Sequence, residues 1–346
     1  MRTSLLTIAF LSTFTALACS VESTSTGEPT SGAPASTTPP SPSTPGTQPP
    51  APKPPASEAP VETEWTKAVV PASARVTDVS SSGASDAWAI GSDRTTSNKG
   101  VVLRFDGSSW TEVTMPKPLS KIDAIYTGGK DAVYVVSSYA GAVHRFDGTS
   151  WKTYDSFGVT NAYSIFGIAK DQVWLGTQWN FYTTPLHRFD GSSWTDEPLE
   201  GRSGVFSIWA SSPQDVWAVR DELEHFDGSS WSTASPSGGD VTAVGGSGKK
   251  DAWAVGKDGF IAHWDGATWT TASSGTAEDL VTVWASGPND AWAGGPKALL
   301  HWDGKAWTAA KTNGAPAGAE HIRGTGQADA WATFGGELYR LAAKKK

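Results

Sequence analysis

The sequence predicts an all-β domain, a closed ring of seven four-stranded antiparallel sheets. Three observations carry that expectation. A unit typified by residues 251–270, DAWAVGKDGFIAHWDGATWT, is written seven times. Its apolar residues alternate with period two, and Gly, Asn and Asp turn signals interrupt the chain about every 8–12 residues. The last copy breaks off unfinished, and a piece that completes it stands at the front of the array.

Each unit opens on a D-x-W strand. The openers are Asp86-Ala87-Trp88, Asp171-Gln172-Val173-Trp174 (one residue longer), Asp215-Val216-Trp217, Asp251-Ala252-Trp253, Asp290-Ala291-Trp292 and Asp329-Ala330-Trp331. The second unit reads Asp131-Ala132-Val133-Tyr134, with its aromatic one place later. A second strand ends in a Phe/Trp-Asp-Gly hairpin signal at Asp106, Asp147, Asp190, Asp227, Asp265 and Asp303. Three residues after each Gly comes a tryptophan: Trp110, Trp151, Trp194, Trp231, Trp269 and Trp307, spaced 41, 43, 37, 38 and 38 residues apart. A further strand precedes each D-x-W, at 76–80, 122–126, 163–167, 205–210, 241–245, 281–285 and 321–324. Four strands in about 40 residues make a propeller blade. Helical repeats share that period but not the two-residue alternation.

The seventh unit reaches Leu338-Tyr339-Arg340-Leu341 and stops without its DGxxW. Glu64-Trp65-Thr66 has no opener before it, and Trp65 lies 45 residues ahead of Trp110, in phase with the rest. The N-terminal strand is therefore expected to complete the last blade, which removes the exposed edges that an open Trp-rich array would present. One unit cannot bury its own tryptophans, so these are expected to pack between blades. The DGxxW aspartates are expected to cap their turns, since one carboxylate per blade is no calcium cage.

The remainder of the 346-residue chain is simpler. Residues 1–18 have a basic start, Met1-Arg2, and an apolar run at 5–17 that is too short to span a bilayer. The run ends in Ala16-Leu17-Ala18-Cys19, around the sole cysteine. This resembles a bacterial lipoprotein signal, with Ala16 where that signal usually carries Leu, and it implies lipidation of Cys19. The implied location is the outer membrane or cell surface; cleavage at the same bond by an ordinary signal peptidase would leave a periplasmic or secreted protein. Residues 19–63 are a Ser/Thr/Pro-rich linker without core-forming residues, 64–341 the propeller, and 342–346 a basic tail. A net charge of −8 opposes nucleic-acid binding. With one cysteine there is no intrachain disulfide and no Cys-based zinc site.

The repeats are similar to Trp-rich bacterial propeller repeats of the DxWAVG…HWDGxxW type, within the broad seven-bladed group that includes WD40-like and BNR-like families. His263-Trp264-Asp265-Gly266 and Trp269 show the wording best. The resemblance covers residues 64–341 and implies the fold, with little about function.

Function is sought where the blades differ. In a propeller, the loops entering the first strand and those joining the second to the third share one face. That face varies here, and the loop 177–185, TQWNFYTTP, carries Trp179, Phe181 and Tyr182. Exposed aromatics outside the repeat pattern are binding candidates. The innermost strands add the off-pattern residues Asp78, Tyr126, Phe166, Trp209, Trp284, His321 and Arg323. A basic residue precedes every hairpin signal: Arg104, Arg145, Arg188, His225, His263 and His301, with Arg340 in the last unit. The favoured reading is a blade-to-blade hydrogen bond or cation–π contact with a repeated Trp or Asp; the alternative is a cationic ring for an anion. No GxSxG, HExxH, P-loop or Rossmann fingerprint occurs. The expectation is a non-catalytic, monomeric recognition or scaffold module of the envelope. It would bind a protein or surface polymer through the variable face, without metal or cofactor, and touch the membrane only through its lipid anchor. A carbohydrate-binding lectin is the alternative. A glycoside hydrolase using carboxylates among Glu197, Glu200, Asp221, Glu222 and Glu224 is the third.

Overall fold

A computed structural model describes residues 62–96, 98–137, 141–155, 161–179, 184–199, 201–310, 312 and 317–344. The signal segment, Cys19, the linker up to residue 61, Phe181, Tyr182, Glu200 and the last two lysines lie outside the described residues. Among the described residues, twenty-eight strands form seven four-stranded antiparallel sheets. In six sheets the strands follow chain order from the channel outward. In the seventh, Thr63–Lys67 pairs with Glu337–Ala343 and puts Trp65 opposite Leu341. The innermost strands adjoin one another all the way round, and the ring is closed.

The fifth blade shows how the unit folds. Its strands are Val241–Gly248, Asp251–Gly256, Ile261–Trp264 and Trp269–Thr271. Every residue of Asp251–Gly256 is buried, so no face of this strand meets solvent. The alternation instead sorts residues between two neighbours. Trp253 and Val255 pack against the sixth blade, while Ala252 and Ala254 receive Trp217 of the fourth. Small residues therefore alternate with large ones because each blade must accept its neighbour's tryptophan. The apolar core is accordingly divided into seven clusters, one at each blade interface.

The two tryptophan series meet across these interfaces. At six of them a D-x-W aromatic meets the DGxxW tryptophan of the following blade nearly at right angles, 82–90°, with centroids 5.0–6.2 Å apart. Trp65 occupies this position against Trp292, where phase predicts it. Edge-to-face rings place a positive rim on a negative face, and the pairs add to simple burial.

The hairpin connection is four residues long. Trp264 pairs with Trp269, and Asp265 N–H donates to Thr268 O at 3.3 Å. Asp265 Oδ1 accepts the N–H groups of Ala267 and Thr268, both at 2.8 Å. Those amides are thus unavailable to the ladder, and the outer strand starts at Trp269. Gly266 has φ +100°, and the other five turns repeat that geometry.

Candidate functional site

The innermost strands run from the variable face to the opposite one, where short turns lead into each D-x-W strand. On each innermost strand, one residue pairs with the aromatic of the second strand. These residues are Ser80, Tyr126, Phe166, Trp209, Gly245, Trp284 and Arg323. One repeat position thus supplies five of the candidate residues read from sequence. They surround a cavity of about 340 Å³ at the channel mouth. Tyr126, Phe166, Trp284 and Arg323 are half-buried, and Trp209 is buried.

This mouth opens on the face of the first-to-second-strand turns, because Ser82, Gly128, Ile168 and Gly324 rim it. The candidate residues of the innermost strands and the candidate loop aromatic therefore lie at opposite faces. Trp179 belongs to the other face, half-buried, with Arg202 Cζ 5.9 Å over its ring. Strand direction is the reason. The residue opposite the D-x-W aromatic lies near the end of the innermost strand, and Trp179 lies beyond the end of the second.

Three of the cup's rings, Tyr126, Trp209 and Trp284, are seated on glycines of the following blade. A Cβ at Gly167 would lie 2.4 Å from Tyr126 Cε1. One at Gly246 would lie 2.9 Å from Trp209 Cζ2, and one at Gly324 2.7 Å from Trp284 Cζ2. Ser80 instead accepts the N–H of Thr127 at 2.9 Å. Tyr126 and Phe166 stand 6.5 Å apart at 37°. Burial pushes the Tyr126 hydroxyl far above the ordinary phenol range, so it stays a neutral donor. Sequence reading passed over these glycines, although each stands where the other blades carry Ser, Thr or Ala.

A second, smaller cavity of about 60 Å³ lies at the variable-face mouth, with room for a few waters. Asp78, His321 and Arg323 line it. Asp78 stitches blades together: it accepts the N–H of Val79 at 2.8 Å and of Ile125 at 3.3 Å, and lies 3.5 Å from His321 Nδ1. Tyr163 and Phe206 stack at 4.9 Å on this rim and are 40% and 46% exposed, a pair the repeat pattern did not flag.

The repeated basic residues are accounted for within their own blades as well as between blades. His225, His263 and His301 each place Nε2 2.7 Å from the opening aspartate, Asp215, Asp251 and Asp290. Each also lies against its own blade's Trp217, Trp253 or Trp292 at 4.0–4.3 Å. The other aspartate oxygen accepts a hydroxyl from Ser211, Ser247 or Ser286, four residues upstream. Serine and histidine thus both bind the carboxylate rather than each other, a structural clamp and not a nucleophile–base pair. In the second and third blades the extra residue moves the aspartate out of reach. Arg145 donates to the Tyr134 hydroxyl at 2.9 Å, and Arg188 to Gln172 at 3.0 Å. Arg145 and Arg340 also reach the next blade, over Phe189 and Phe105. The S/T-x-x-x-D spacing was visible in sequence but went unread.

The exposed turn aspartates hold their charge firmly. Hydrogen bonds from turn amides and hydroxyls push Asp106, Asp190 and Asp227 down to about 2, and Asp147 further. Three of the carboxylates weighed for hydrolysis have partners within the blades. Glu197 lies 3.7 Å from Arg188, Asp221 accepts Ser203, Glu222 accepts Ser235, and none of them lines either channel cavity. No group of His, Cys, Asp or Glu placed to hold a metal occurs among the described residues. No helix among them is long and apolar enough to cross a membrane.

Fold and site define a seven-bladed β-propeller with an aromatic cup at one end of its channel. The sequence matches no family model and no curated protein. Solved propellers share its fold at low identity. The structure titled "YCF48 bound to D1 peptide" is 18% identical with a TM-score of 0.64, covering 82% of this chain and 97% of its own. A virginiamycin B lyase from Staphylococcus aureus is 14% identical with a TM-score of 0.63, covering 81% and 99%. The extracellular domain of a putative hybrid two component system, BT3049 from B. thetaiotaomicron, is 13% identical with a TM-score of 0.62, covering 82% and 42%.

Proposed function

We propose that this propeller is a non-catalytic recognition module of the bacterial envelope whose ligand seats in the aromatic cup. The observation that carries this reading is the gathering of Tyr126, Phe166, Trp284 and Arg323 around one open cavity. Tyr126 and Trp284, already fixed on glycine, lose little freedom when a ligand arrives, which favours binding. A propeller of similar shape is titled as bound to a peptide, which supports a protein partner, while the lyase neighbour keeps catalysis open to test. Export and lipidation at Cys19 belong to the same proposal and rest on residues 1–19.

The test is capture from envelope extracts with three proteins: wild type, Trp284→Ala, and Trp179→Ala. A protein ligand retained by Trp179→Ala and lost by Trp284→Ala supports the cup. The reverse pattern moves the site to the variable face. A glycan captured in place of a protein makes the module a lectin. Turnover of a captured substrate overturns the non-catalytic reading.

A further inference from the structure

The cup holds one formal charge. Arg323 lines the cavity, and no carboxylate does. Its guanidinium donates from Nη1 to its neighbour's carbonyl, Ile322 O, at 2.9 Å, and makes no ion pair among the described residues. Asp78, on the adjoining first blade, lines the smaller cavity together with Arg323, but it is already engaged by two backbone amides and lies 3.5 Å from His321. A guanidinium in an aromatic wall, with no carboxylate at ion-pair distance among the described residues, is an arrangement that an anion would complete. Withdrawal from water weakens its solvation, and the low dielectric strengthens its pull on an anion. Its planar fork matches a carboxylate.

The surroundings narrow the ligand further. The six turn aspartates share the face on which the cup opens, and the chain as a whole carries −8. A polyanion would meet that ring before reaching Arg323, whereas a single negative group on an apolar body would not suffer so much. The wall beside Arg323 is Trp284, with Tyr126 and Phe166 beyond Ser80 around the ring.

We propose that the cup takes the carboxylate end of an apolar molecule, with the anion on Arg323 and the apolar body against Tyr126, Phe166 and Trp284. The chemistry is shared by a free organic acid and by the C-terminus of a polypeptide with an apolar last residue. This inference rests on the cup being the binding site.

Calorimetry on the purified propeller separates the possibilities. The probes are indole-3-propionate and its amide, and the peptide Ac-Gly-Gly-Gly-Leu-Phe with a free or an amidated terminus. The expected result is an acid that binds about tenfold or more tightly than its amide, because a charge-assisted pair is lost. Arg323→Gln should abolish that preference at an unchanged melting temperature, and Arg323→Lys should keep part of it. Preference in the peptide pair alone identifies a chain terminus; preference in both pairs identifies the terminal acid itself as sufficient. Equal binding of acid and amide, lost in Trp284→Ala, overturns the carboxylate assignment and leaves the cup standing. No binding of either acid also overturns it, while Trp284-dependent capture from extracts would still support the wider reading.

Discussion

Trp65, near the start of the described chain, stands edge-on to Trp292, with ring centroids 5.3 Å apart and planes at 88°. It is 3% exposed and belongs to the strand that completes the last blade. Trp65→Ala should lower unfolding free energy by about 3–5 kcal/mol, as for other buried aromatics. Denaturant unfolding followed by circular dichroism checks this. A variant as stable as wild type would show that the closing strand is dispensable.

The serine–aspartate–histidine clamps predict a coupled loss. Asp251→Ala removes the acceptor shared by Ser247 and His263. Stranding buried polar groups costs about 1–3 kcal/mol. In a double-mutant cycle with His263→Ala the two losses should fall short of additive, because each deletes the same contact. Strict additivity in the cycle would mean that the pair contributes nothing.

Gly167→Ala should cost about 1–3 kcal/mol, since the new methyl must displace the Tyr126 ring. Repeating the change in a Tyr126→Ala background should remove most of that cost. Thermal denaturation of the four proteins measures it, and an undiminished cost would assign the strain to something other than the ring.

The turn aspartates predict an acid transition. Their folded pKa values are depressed, so their contribution is fully present above the unfolded carboxylate value near 4. It is lost as pH falls from about 4 to 2, where Asp106, Asp190 and Asp227 titrate in the fold. Melting temperature should therefore drop across that window. Asp106→Ala, Asp190→Ala and Asp227→Ala together should flatten the drop; an unaltered slope would locate acid sensitivity elsewhere.

The ring and its closure were legible because they are repeated. Trp65 kept phase with Trp110, and the hairpin aspartates and glycines recur unchanged. The site was half legible. Tyr126, Phe166, Trp209, Trp284 and Arg323 stood out as departures from pattern, but the face they occupy did not. Face follows from where a residue sits along its strand, and strand ends were the least certain feature: the second innermost strand begins at Ala124 rather than 122, and the fifth runs to Gly248 rather than 245. The partners of the basic residues were half right, since Trp253 and Asp251 were the expected kinds of contact but lie in the same blade as His263. That pairing depends on cross-strand register, which repeat spacing does not specify.

Seating three rings of the cup, Tyr126, Trp209 and Trp284, on the next blade's glycine has a consequence for how such a mouth changes. A new bulky residue at Ser80 would meet Thr127, and a side chain at Gly245 would meet the backbone carbonyl of Val283. The recognition surface is therefore spelled in pairs of letters one repeat apart. Single substitutions can erase a ring from it, whereas enlarging a seating glycine, Gly167, Gly246 or Gly324, displaces the ring of the preceding repeat, so the two letters of each pair constrain one another.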